Sequence, residues 1–327
     1  MNKKTMALVL ACALLLLTAC GSVPRETEPT GSAEPAPAAE VPAEAEAAEV
    51  PAEAAAEDKS ATLNGVLDAE LAIDYAHDYE PDIEEDVRAV VEASASLQEE
   101  LNNIEKLSGK YAPLATEAQT QLEMNFAAGW LYHIWDTELN SLLSRLRDSA
   151  DAEAQERLLA EQNDWEAMRE EATIMSIGAP EEGGSFYPVS QFSLWAEMTK
   201  ARSYRLANEL AGMRGEAFAM PEGPDKYGIF LDTQGTGSVY SALIVREGWE
   251  GDPEAVITVY RLGVLEGTVS EDGNGAFAFA AYDESVKGII TVKGWDGASF
   301  EITEIAGTSP FSAGDTFDYP LAFCSIP

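Results

Sequence analysis

The sequence predicts an α+β protein with more than one domain: an antiparallel helical bundle followed by a small all-β sandwich or barrel. Three observations predict it. From Ile83 to Leu210 apolar residues recur at steps of three and four, the period of a helix with one buried face. Beyond Pro224 the pattern changes to period two, the signature of half-buried strands. Between the two lies Gly212 to Pro224, punctuated by Gly215, Pro221, Gly223 and Pro224, which reads as a linker. At 327 residues the chain exceeds one typical domain, and its 46% apolar fraction is ordinary for a globular protein. The expected layout is a lipoprotein signal peptide over 1–19, a tether over 20–62, a helical domain over 63–215 and a β-rich domain over 216–327.

Taken in order, the first stretch looks like an export signal. Lys3 and Lys4 precede an apolar run, Met6 to Leu17, that is too short to span a bilayer. Leu17-Thr18-Ala19-Cys20 resembles the bacterial lipobox, and Gly21 follows it. That predicts diacylation of Cys20. Each buried CH₂ contributes about 0.8 kcal/mol, so two acyl chains anchor stably. Ser22 to Asp58 is an Ala/Glu/Pro tract without aromatics, containing the near repeat Glu40–Ala45 and Glu49–Ala54. It has too little apolar surface to fold, so it reads as an extended tether. The expected location is the cell membrane, lipid-anchored, on the extracellular or periplasmic side.

Four helices are expected. Ile83, Val87, Val90, Ser94, Leu97, Leu101 and Ile104 form one seam, ended by Gly109 and Pro113. A second helix starts near Leu114 and runs through Leu122, Phe126, Trp130 and Ile134 to Leu146. A third covers Ala152 to Ser176, with Leu158, Gln162, Trp165, Met168, Ala172 and Met175 on one side. Gly178-Ala179-Pro180 and Gly183-Gly184 form a loop. A fourth runs from Pro188 to about Leu210, with Phe192, Ala196, Thr199, Leu206 and Leu210 inward. Short loops between long helices imply antiparallel neighbours. Trp130, Trp135, Trp165 and Trp195, at helical spacing, read as core rather than as a ligand box.

Eight strands are expected beyond the linker: Tyr227–Asp232, Val239–Arg246, Ala255–Arg261, Val264–Val269, Ala276–Ala281, Val286–Lys293, Ser299–Ile305 and Phe317–Phe323. Asp272-Gly273-Asn274-Gly275 and Asp296-Gly297 are hairpin turns. Read as an EF-hand from Ser270, the first of these puts Ala281 where a bidentate Glu is needed, so it is no calcium loop. Trp249 and Trp295, beside Gly and Asp near strand ends, either anchor a partner or plug the end of a barrel.

Composition excludes more than it selects. The formal net charge is -38, from 58 acidic and 20 basic residues. Nucleic acid would be repelled, and so would an anionic lipid surface. Basic partners would be attracted, although a plain self-repelling surface has the same composition. Cys12 lies in the signal and Cys20 is acylated, so the mature chain keeps only Cys324 and makes no internal disulfide. His77 and His133 are far apart, and no zinc motif, Gly-x-Ser-x-Gly or phosphate loop occurs. No metal and no cofactor is expected. Acidic pairs abound, so counting does not exclude a two-carboxylate glycosidase.

Five short pieces, taken in order, carry a resemblance. Asp136-Thr137-Glu138-Leu139-Asn140 is similar to the Asp-x-Glu-Leu-Asn element of the lysozyme inhibitor LprI-like N-terminal domain family. Gln162-Asn163-Asp164-Trp165, with Leu158 before it, resembles the family's Leu…Gln-x-x-Trp helix, and Arg169 its following arginine. Gly183-Gly184-Ser185 resembles its loop, and Thr199, Arg202 and Leu206 its closing helix. The resemblance spans roughly residues 120 to 212. Where it implies cysteines the chain has Ala127, Thr173 and Leu194, so apolar packing must replace disulfides.

The motif residues suggest two roles. Arg169 or Arg202 paired with Asp136 or Glu138 would be an ion pair that sets helix register. Alternatively Asn140, Gln162 and the two arginines stand at the mouth of a groove. The resemblance, with the charge and the lipobox-like segment, implies a non-catalytic, lipid-anchored surface protein that binds a macromolecule, in its sharpest form a lysozyme inhibitor. Common animal-type lysozymes are basic and would be steered toward an acidic binder. A carboxylate-based hydrolase of cell-wall glycan and a structural envelope protein are the alternatives.

Overall fold

The structure is a computed structural model that describes residues 52–248, 251–271 and 276–326. The expected signal, Cys20, most of the expected tether, Trp249 and the Asp272–Gly275 turn lie outside the described residues. Among those described, no helix is long and apolar enough to cross a membrane.

The helical part opens with α1 (Ala52–Leu67). This helix takes in the last residues expected to be an unfolded tether. Leu63, Val66 and Leu67 pack against the core, so the apolar surface that the Ala/Glu/Pro tract lacks arrives at its end. Next come α2 (Glu80–Ala93) and α3 (Leu97–Tyr111). The sequence reading made these one helix. The chain instead breaks at Ser94, whose ψ of 139° is extended. Ser94 Oγ donates to the Val90 carbonyl at 2.8 Å, while Ser96 caps α3 by accepting from Glu99 N at 3.2 Å. Serine hydroxyls that bond nearby backbone stop one helix and start another. The seam itself survives the break, because Ile83, Val87, Val90, Leu97, Leu101 and Ile104 are all buried.

A single turn, α4 (Pro113–Thr116), precedes the long α5 (Gln121–Ser149). The start of α5 is fixed by a capping box between Thr120 and Glu123. It lies later than the expected start near Leu114. Then follow α6 (Ala152–Ile177), capped by Asp151, the one-turn α7 (Pro180–Gly183), a 3-10 turn at Gly184–Phe186, and α8 (Tyr187–Arg214). Gly215, at φ 69°, ends α8 in the left-handed conformation. Residues 216–224 are not a loose linker. Glu216 accepts from Leu97 N at 3.2 Å and Gln98 accepts from Ala219 N at 2.8 Å, which docks the segment on the start of α3.

The β part is one nine-stranded antiparallel sheet in the order β8-β7-β6-β5-β4-β3-β2-β1-β9. Its strands are β1 (Gly228–Asp232), β2 (Ser241–Glu247), β3 (Pro253–Val259), β4 (Gly263–Glu271), β5 (Ala276–Ala281), β6 (Val286–Val292), β7 (Ala298–Ile305), β8 (Thr316–Tyr319) and β9 (Leu321–Ser325). The expected eighth strand, Phe317–Phe323, is really two. Pro320 separates β8 from β9, and the two halves stand at opposite ends of the sheet order. A proline cannot donate to a ladder, so the strand divides there. Consecutive residues at both edges require the sheet to curl into a nearly closed barrel. Tyr319 reinforces the closure by donating to the Thr258 carbonyl at 3.2 Å.

The barrel interior holds Phe230, Leu243, Val245, Phe279, Ile290 and Phe300. β4 and β5 alternate buried and more exposed residues, as a strand facing water should. β1, β2 and β9 do not alternate, because both their faces are covered. Ile229, Leu231, Ala242, Ile244, Phe323 and Cys324 join the core of the helical bundle. Trp165 stacks on Phe323 with ring centroids 5.9 Å apart, and Arg205 donates to the Ala322 carbonyl at 2.6 Å. Trp295 is half-buried at this junction. It donates to the Pro221 carbonyl at 2.8 Å beneath the Arg205 guanidinium.

Candidate functional site

The motif residues sit on α5, α6 and α8, which side-chain contacts place in register. Thr173 meets Trp195, Gln162 meets Arg202, and Arg157 meets Glu209, so α6 and α8 run antiparallel. Gly129 lies against Phe192, and Tyr132 against both Phe192 and Trp195, while Trp135 meets Tyr204 further along. Rising numbers match on both helices, so α5 and α8 run side by side in the same direction.

One cluster gathers around Arg169. Its guanidinium lies 4.4 Å from the Trp195 ring centre and 5.2 Å from that of Trp165. Arg169 Nη1 donates to Tyr132 Oη at 3.2 Å, and Tyr132 Oη donates to Asp136 Oδ1 at 2.7 Å. Asp136 also accepts from Asn140 Nδ2 at 3.2 Å. Arg169 therefore reaches Asp136 through the Tyr132 hydroxyl and not by a direct ion pair. Burial, with the Asp136 carboxylate beside it, pushes the Tyr132 hydroxyl up to about 12. Tyr132 was not legible as part of the motif, although its i,i+4 spacing to Asp136 was there to be read.

A second cluster holds Glu138, which is fully buried. The expected partners Arg169 and Arg202 do not reach it. Arg145, one turn and three residues further along α5, does, with Nη2 at 3.4 Å from Glu138 Oε1. The same guanidinium grips Glu100 of α3 with two bonds of 2.8 and 2.5 Å. Burial first, and the neighbouring Glu100 carboxylate second, raise Glu138 well above the ordinary carboxylate range. Glu100 could have been suspected from its place between Leu97, Leu101 and Ile104 on the seam. Two adjacent carboxyls, one of them raised, have the make-up of an acid–base pair, but both side chains are buried.

A third pairing joins α6 to α8. Arg202 Nε donates to Gln162 Oε1 at 3.4 Å, and burial lowers the Arg202 guanidinium from its usual range. Trp165 and Arg202 line a cleft of about 240 Å³ with Glu161, Asp164, Arg205 and Phe323. Ordinary ligand clefts hold roughly 300–1,000 Å³. Leu139 and Thr199 are core, and Thr199 Oγ1 is a buried atom without a partner.

The loop motif is built by steric demand. A Cβ on Gly183 would lie 2.5 Å from the Tyr187 ring, and Gly184 has φ +59°. Ser185 is exposed. The positions where cysteines were implied carry Ala127 and Leu194 in the core, and Thr173. Thr173 Oγ1 accepts from Trp195 Nε1 at 3.0 Å, a hydrogen bond joining α6 to α8. Trp130, Trp135 and Trp165 are buried and Trp195 is half-buried, as a packing role requires. Leu122 and Phe126, through which the second helix was expected to run, are exposed, at 60% and 43%.

Fold and motif geometry thus define a helical domain whose signature residues lock three helices together, joined to a barrel. The profile of the family described as Lysozyme inhibitor LprI matches residues 113–206, less than a third of the chain, from α4 into α8. No curated protein and no solved structure matches the chain.

Proposed function

We propose that this protein is a non-catalytic, lipid-anchored cell-surface protein that binds and inhibits a basic lysozyme. The observation that carries the reading is the match of residues 113–206 to the lysozyme inhibitor family. The motif geometry supports it. Gln162, Arg169 and Arg202 bond between helices, Trp165 packs on Phe323 of β9, and Asp136 and Asn140 bond within α5, which is what a rigid binding scaffold needs. The net charge of -38 supports a cationic partner by steering it at long range. The lipobox-like Leu17–Cys20 supports anchoring at the membrane, facing out, with the Ala/Glu/Pro tract as a spacer.

The test is a muramidase assay on cell walls with a basic animal-type lysozyme and the purified chain. Inhibition at micromolar protein and low salt is expected, weakening as salt rises. Undiminished lysis at low salt rejects the reading. Labelling with a radioactive fatty acid, lost on Cys20→Ser, tests the anchor.

A further inference from the structure

We propose that the partner is gripped by an apolar tip at one end of the helical bundle, made by Leu122, Phe126 and Phe186 and rimmed by carboxylates. This rests on the lysozyme-binding reading and specifies its surface. The three side chains are 60%, 43% and 52% exposed. Leu122 and Phe126 lie one turn apart on the first turns of α5, and Phe186 closes the 3-10 turn that takes in Gly184 and Ser185 of the glycine motif.

The helix register brings them together. Gly129 and Tyr132 of α5 lie level with Phe192 and Trp195 of α8. Carried back along the parallel pair, the same offset sets Phe186 level with the start of α5. The 3-10 turn packs against α5. Large apolar side chains grouped at one exposed end are what a contact hot spot requires, and polar residues around them exclude water.

The charge says which partner fits. Glu117, Glu181 and Glu182 are exposed beside these residues. Residues 111–144 and 170–199, the stretches that include this end, contain no lysine and no arginine. The rim's own segments are therefore acidic, with Arg246 of β2 reaching in to the Ser176 carbonyl, and the acidic side complements a basic protein surface bearing an apolar recess. The glycine motif gains a purpose: Gly183 lets the chain pass tight against Tyr187, which fixes where Phe186 projects.

Binding of the full chain to immobilised basic lysozyme tests this. Phe126→Ser and Phe186→Ser should each weaken binding by about tenfold or more. Glu181→Gln with Glu182→Gln should slow association and flatten its salt dependence. Phe186, Glu181 and Glu182 are exposed, so their variants should keep the thermal midpoint, whereas Phe126→Ser also loses the stacking of Phe126 on Trp130 and should lower it. Val264→Ser, at an exposed site on β4, is the control and should bind as the wild type. If the wild type binds and both serine variants bind equally well, the surface is elsewhere and the lysozyme reading stands. If the wild type itself does not bind, both fall. If the serine substitutions instead dissolve a dimer of this chain and leave lysozyme binding alone, the tip is a self-interface and the proposal is overturned.

Discussion

Arg145 on α5 and Glu100 on α3 form a two-pronged ion pair inside the bundle, with bonds of 2.8 and 2.5 Å. The pair ties together two helices separated by a long stretch of chain, and the guanidinium also faces Glu138 at 3.4 Å. Removing the cation strands two buried carboxyls. Arg145→Met should therefore cost about 3 kcal/mol, since breaking a buried pair from one side leaves charge unpaired. Urea denaturation with an unchanged m-value checks this.

Glu138 makes a distinct prediction. Its carboxyl is raised in the folded state by burial and by the Glu100 carboxylate, so it gives up its proton at higher pH there than in the unfolded chain. Stability should fall as pH rises from the ordinary glutamate value toward the raised one, because the native state binds more protons there. Glu138→Gln keeps the shape and removes the titration. The variant should gain on the wild type as pH rises above the ordinary glutamate value, because only the wild type has a raised carboxyl to ionise. Thermal melts of both proteins across that range give the answer. A difference that stays flat would mean that Glu138 is ionised in the fold.

The glycines divide into required and replaceable. Gly183→Ala drives a Cβ to 2.5 Å from the Tyr187 ring and should destabilise by about 1–3 kcal/mol. Gly109 lies inside α3, where an added Cβ meets nothing within 4 Å. Gly109→Ala should stabilise by about 0.5–1 kcal/mol through helix propensity. Chemical denaturation of the two variants side by side should give opposite signs.

One hydroxyl links the edge strand β8 across to β3. Tyr319→Phe removes the bond to the Thr258 carbonyl while keeping the ring. A loss of about 1 kcal/mol is expected, with faster amide exchange in β8 than in β5. Unchanged exchange in β8 would show that the seam holds without it.

Much of the fold was legible because periodicity is local. The seam residues of α2 and α3, the buried side of α6 and the places of the first seven strands follow from spacing, to within about two residues at their ends. What spacing misses is the breaks. Ser94 and Pro320 lie within patterns that continue across them, yet the first ends a helix and the second sends one strand to both edges of a sheet. The motif residues were legible as a set through the family resemblance, and their chemical partners were not. Arg169 and Arg202 looked like the cations for Asp136 and Glu138, but Tyr132 and Arg145 hold those carboxyls.

By itself the sequence determined the fold class, the acidic charge, the order of helices and strands, and the family pieces between Asp136 and Arg202. These are properties of short stretches, written in composition and in periods of two and 3.6. The tertiary structure alone decided the partners. It buried both faces of β1, β2 and β9 by laying the bundle on them, it chose Arg145 for Glu100 and Glu138, and it left Leu122, Phe126 and Phe186 uncovered at one end. An apolar residue on a helix face carries the same pattern whether a neighbour covers it or not. Only the placement of the other helices decides whether it is core or contact surface.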